Sequence, residues 1–87
     1  LPADEADIRT FLFMTASRSD SATYSQYLND YILQFPKSSE AYTQRADFYM
    51  AHGNYAAAEE DMKSALEVTE KKDETYYAFS KLLYELT

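Results

Sequence analysis

The stretch Ser39–Lys72 reads SEAYTQRADFYMAHGNYAAAEEDMKSALEVTEKK, and His52-Gly53-Asn54 inside it is the only glycine turn of the chain. Before that turn, Tyr42, Ala46 and Tyr49 mark one side of a helical pattern, with Phe48 and Met50 beside them. After it, Tyr55, Ala58, Met62, Ala65 and Leu66 form a second apolar stripe at helical spacing. Gly53 stands where a left-handed residue ends a helix without a Cβ penalty, and Asn54 is expected to cap the helix that follows. Alanines recur where two helices must approach closely, and tyrosines where bulk must fill the space between them. The stretch therefore reads as a helical hairpin.

Upstream, Tyr24, Tyr27, Leu28, Tyr31 and Phe35, with Ile32 beside them, make the cleanest stripe in the sequence. Ser19 or Asp20 is the expected N-cap of this helix, Pro36 stops it, and Ser38 or Ser39 caps the next. A first helix is expected from Ala3 to about Ser17, with Ile8, Phe11, Leu12 and Thr15 on one face. Asp4, Glu5 and Asp7 crowd its first turn, where carboxylates suit the helix dipole, while Phe13 and Met14 lie off its stripe. Downstream, Asp73 is placed to cap a fifth helix bearing Tyr76, Phe79, Leu83 and Leu86. The expectation is an all-α chain of five antiparallel helices.

Composition narrows what such a chain does. Its 87 residues make one small domain, and 46% hydrophobic content with fourteen Tyr and Phe (nine and five) supplies a core. One glycine and two prolines leave too few turn residues for a sandwich of short strands. Without cysteine there is no disulfide, thiolate metal ligand or thiol nucleophile. A formal charge of -7 disfavours nucleic acid and anionic membrane surfaces, and favours a neutral to basic polypeptide partner. The longest run of large apolar residues, Phe11–Met14, is far too short to span a membrane, so no membrane insertion is expected. The sequence starts at Leu1, so any targeting signal is out of sight and the compartment stays open.

Residues 39–72 align at an offset of 34 with residues 5–38 and with 73–87. Ile8, Tyr42 and Tyr76 then coincide, as do Leu28 with Met62, Ile32 with Leu66, and Ser19-Asp20 with Gly53-Asn54. Tyr42 with Ala46, Tyr49, Gly53 and Tyr55, and then Ala58, Met62 and Ala65, resemble the tetratricopeptide repeat, a helix-turn-helix unit of this period. The resemblance implies about two and a half repeats, at about 5–38, 39–72 and 73–87, forming a fragment of a right-handed α-solenoid. The first repeat departs from the pattern with Leu12, Tyr24 and Tyr31 at the three small positions, so its two helices should sit further apart or cross differently. Glu70 replaces the proline that usually ends the second helix, although Pro36 holds that place one repeat earlier.

Chemistry of catalysis finds little to hold. His52 has no nucleophile or carboxylate nominated by the sequence, and Glu59-Glu60-Asp61 point in three directions on a helix, which reads as a solvated face. The tyrosines Tyr24, Tyr27, Tyr31, Tyr42, Tyr49, Tyr55 and Tyr76 are read as packing. No catalytic, cofactor or metal site is expected. The resemblance implies a concave groove lined by the first helix of each repeat, holding a peptide or protein segment. Its positions by phase are Arg9 and Phe13, then Thr43, Gln44, Asp47 and Met50, then Tyr77, Lys81 and Tyr84. The family's Lys/Asn/Arg carboxylate clamp is not reproduced, because Glu74, Phe13 and Ala78 stand at those places. The alternative is a structural role, with a homodimer or docking on the rest of its chain through Tyr76, Phe79 and Leu83 on the open last helix.

Overall fold

The computed structural model describes residues 2–69 together with Tyr77, Ser80, Lys81 and Tyr84. Four helices account for most of these residues: α1 (Glu5–Thr15), α2 (Ser21–Gln34), α3 (Ser39–Ala51) and α4 (Tyr55–Val68). No strand occurs among the described residues. The expected fifth helix falls on residues that lie mostly outside the described ones, including Tyr76, Phe79 and Leu83. Tyr77, Ser80, Lys81 and Tyr84 are helical and exposed.

Side chains set the helix boundaries. Asp4 caps α1 by accepting from Ala6 N at 2.8 Å, and Asp20 caps α2 by accepting from Thr23 N at 2.7 Å. Ser38 caps α3 through Ala41 N at 3.4 Å. Each oxygen satisfies one of the amides that a helix start leaves without an intrahelical acceptor. Bonding to the Thr23 backbone holds the Asp20 carboxyl below its ordinary pKa, which marks the cap as a charged one. Asn54 departs from expectation: it occupies the N-cap position of α4, but its side chain makes no capping bond. Its backbone closes α3 instead. Asn54 N donates to Tyr49 O at 2.9 Å and Gly53 N to Met50 O at 3.2 Å, with Gly53 at φ 76°. This is the Schellman arrangement, in which a left-handed glycine lets two amides reach back to the last free carbonyls.

The 34-residue offset reappears in the folded chain. Ser39 starts α3 34 residues after Glu5 starts α1, and Tyr55 starts α4 34 residues after Ser21 starts α2. Packing follows the same phase with different side chains. Ile8, Leu12, Leu28, Tyr31 and Ala41 form one buried cluster across α1, α2 and α3, while Ala46, Ala58 and Met62 form another between α3 and α4. Each helix packs chiefly on the next. The backbones of α3 and α4 run close along much of their length, and those of α1 and α2 come together at few points. Side-chain volume explains the contrast: Ala46, Ala58 and Ala65 are fully buried in the second pair, where the first has Leu12, Tyr24 and Tyr31. Tyr55 is a correction to the expected core, since it is 50% exposed.

A second correction concerns Asp61. Glu59 and Glu60 do face water and flank Lys63 at 3.6 and 3.8 Å, but Asp61 is only 4% exposed. It is gripped in a bidentate ion pair by Arg45 of α3, with Nε to Oδ2 at 2.8 Å and Nη2 to Oδ1 at 2.7 Å. Arg45 Nη1 also donates to Asn29 Oδ1 at 3.1 Å, and the guanidinium carbon lies 5.8 Å from the centre of the Tyr49 ring. One cation thereby ties α2, α3 and α4. Thirty-four residues earlier, the positions of Arg45 and Asp61 are held by Phe11 and Tyr27, whose rings meet edge to face at 5.0 Å. The same contact is ionic in one hairpin and aromatic in the other.

Candidate functional site

The positions expected to line a groove meet different fates. Phe13 is 86% exposed, and Tyr77 and Tyr84 are 74% and 81% exposed. Such aromatic exposure has no role in the core. Lys81 and Asp47 are exposed as well, and Gln44 is half-buried. Arg9 of α1 lies 3.6 Å from Glu40 of α3, which brings the first turns of that face together across a pair in solvent. A pair this exposed contributes little to stability. Thr43 spends its hydroxyl on Ser39 O at 2.8 Å within its own helix. Met50 gives part of its side chain to the Ala46–Ala58–Met62 cluster. Tyr76, Phe79 and Leu83, named for self-association, lie outside the described residues.

Gln44 and Asp47 border a cleft of about 370 Å³ between the α1–α2 connection, the start of α2 and the second half of α3. Ala16 and Ser19 of the connection, Ser21 and Tyr24 of α2, and Phe48 of α3 with its C-cap His52 line it. The rings of Tyr24 and Phe48 lie 5.9 Å apart, and His52 stacks on Phe48 at 4.2 Å. The Tyr24 phenol is pushed up, first by burial and then by the Asp47 charge.

Sequence reasoning nominated no partner for His52, yet the fold supplies two. Its Nδ1 lies 2.9 Å from Phe48 O, an acceptor only, so Nδ1 carries a proton and donates. Nε2 lies 3.2 Å from Ser21 Oγ. A Ser–His pair performs nucleophilic chemistry when an acid orients the imidazole and donors await the oxyanion. Here a backbone carbonyl orients the ring, and the pair ties the end of α3 to the start of α2. No spacing within either helix signals this pair, because Ser21 and His52 belong to different helices and are not equivalent positions of the 34-residue offset.

A second cleft of about 370 Å³ lies at the opposite ends of these helices, beside Glu5, Gln34, Phe35, Pro36, Lys37 and Ser38. Two of its polar side chains, Glu5 and Ser38, engage one another. Glu5 accepts from Tyr31 OH at 2.7 Å and from Ser38 Oγ, so one carboxylate joins the start of α1, the end of α2 and the cap of α3. Burial, and then the bond to Glu5, push the Tyr31 phenol well above its ordinary value of 10.0. The sign of the linkage is set by the folded state's preference for the protonated phenol. Its contribution is fully present below the unfolded value of 10.0 and is lost as pH rises toward the higher folded one. Tyr31→Phe should therefore flatten the alkaline limb of a pH–stability profile followed by circular dichroism. An unchanged limb would remove Tyr31 as its cause.

Among the described residues, no three His, Cys, Asp or Glu side chains gather as a metal site. No helix there is long and apolar enough to cross a membrane. No protein-family model, curated protein or solved structure matches the chain.

Proposed function

We propose that the chain is a non-catalytic protein-interaction module of about two and a half tetratricopeptide-like repeats, holding a peptide or protein segment against the face shared by its first helices. The observation that carries this reading is the recurrence of both helix starts at 34 residues, with aromatic side chains left in water at the face-forming positions Phe13, Tyr77 and Tyr84. Exposed aromatics supply rigid apolar area of the kind that dominates binding energy once buried by a partner. The acidic balance of 15 Asp and Glu against 8 Lys and Arg selects a neutral to basic segment.

Binding of a captured partner is expected to fall in Tyr77→Ala and in Asp47→Lys while thermal stability stays close to that of the parent chain. Calorimetric titration against a melting curve separates the two quantities. Parallel losses of binding and stability would assign these side chains to the fold and remove them from the binding face.

A further inference from the structure

Resting on the interaction-module reading, we infer that the cleft between the start of α2 and the second half of α3 is a subsite for an arginine side chain of the bound segment. Its volume of about 370 Å³ lies at the small end of the range of clefts that enclose ligands, roughly 300–1,000 Å³. Three rings, Tyr24, Phe48 and His52, form one aromatic wall: His52 is stacked on Phe48 at 4.2 Å, and Tyr24 lies 5.9 Å from Phe48 at a tilt of 37°. Both nitrogens of His52 are engaged, by Phe48 O and Ser21 Oγ, so the last ring of that wall is fixed in orientation. A planar guanidinium stacks on such a surface, whereas an ammonium presents only a point charge.

The rim supplies the matching charge. Among the described residues, Asp47 is the one carboxylate lining the cleft, and no Lys or Arg lines it. A carboxylate has about four lone-pair sites, so Asp47 can serve a contact within the chain and still accept from a ligand. Gln44, adjoining it on α3, offers an amide oxygen as a further acceptor. An acidic side chain entering the same space meets the Asp47 charge and finds no Lys or Arg among the described lining residues. A neutral one forgoes the charge-assisted bond.

The test is selection of a fully randomised linear peptide library on three proteins: the chain itself, Asp47→Asn, and Glu60→Gln as a control for loss of one negative charge elsewhere. Peptides selected on the parent chain should carry arginine at one fixed position. Synthetic copies of them should bind Asp47→Asn about tenfold more weakly, bind Glu60→Gln unchanged, and lose affinity when that arginine becomes lysine. Circular dichroism checks that Asp47→Asn melts with the parent. Peptides without an arginine preference, or with equal losses in Asp47→Asn and Glu60→Gln, would overturn the subsite and leave the module reading standing. A library that yields no peptide at all would overturn both.

Discussion

Asp61→Ala is expected to destabilise the chain by about 3 kcal/mol, read from urea unfolding followed at the helical circular-dichroism band. Removing the carboxylate leaves the Arg45 guanidinium, a group with only 24% of its side chain exposed, beside a hole instead of a bidentate acceptor. Breaking a buried pair costs about 3–5 kcal/mol because the surviving charge remains desolvated, and the partial exposure of Arg45 puts this case at the lower end. The chain also contains its own apolar version of this contact. Phe11 and Tyr27 hold the equivalent places one period earlier. The double variant Arg45→Phe/Asp61→Tyr should therefore recover most of the loss, since well-packed apolar replacements for buried ion pairs are often neutral or stabilising. A loss below about 1 kcal/mol in Asp61→Ala would show that water reaches Arg45 and that the pair behaves as a surface one.

Ala58→Leu is the other large effect expected, a destabilisation of about 1–3 kcal/mol by overpacking. Ala58 is fully buried with Ala46 and Met62 between the closely packed α3 and α4, and three added carbons must displace those neighbours in a close-packed interior. The chain itself contains the contrast. Tyr24, one period earlier, is tolerated because α1 and α2 stand further apart there and because its ring rests against Phe48. Differential scanning calorimetry measures the effect, and a neutral result would contradict close approach of α3 and α4 at that point.

Both predictions concern places where local pattern and tertiary packing divide the work. The four described helices, their order and the caps of α2 and α3 were legible because their causes are local, whereas Asp4, read as a first-turn residue, is itself the cap of α1. Asp20 and Ser38 cap the helices that follow them, Pro36 interrupts one, and Gly53 takes the left-handed turn only a residue without Cβ enters freely. The period of 34 was legible for the same reason, since it is a repetition of those local signals. The loose approach of α1 and α2 was legible as one of two alternatives, beside a different crossing, from the bulk of Leu12, Tyr24 and Tyr31 at positions where the second hairpin has alanine.

Glu59-Glu60-Asp61 shows where local reading stops. Three consecutive acids on a helix look alike, yet Asp61 lies three residues after Ala58 and four before Ala65, on the face that those alanines bury. That phase placed it inward. Its charge argued the opposite, and only Arg45 on α3, itself held by Asn29 on α2, resolves the conflict. The candidate site divides in the same way. Phase selected Phe13, Gln44, Asp47 and Tyr77 for the proposed binding face, but the cleft beside Gln44 and Asp47 exists because Ser21 and Tyr24 arrive from another helix. Sequence by itself determined where the four described helices fall, to within a residue or two of their starts, and which positions repeat, because capping, turn geometry and periodicity act within a few residues. Tertiary structure alone decided the burial of Asp61, the exposure of Tyr55, the anchoring of His52 and the aromatic wall of the cleft. Each of these depends on the charge, volume or hydrogen-bonding capacity of a side chain on another helix, a quantity that no spacing within one segment records.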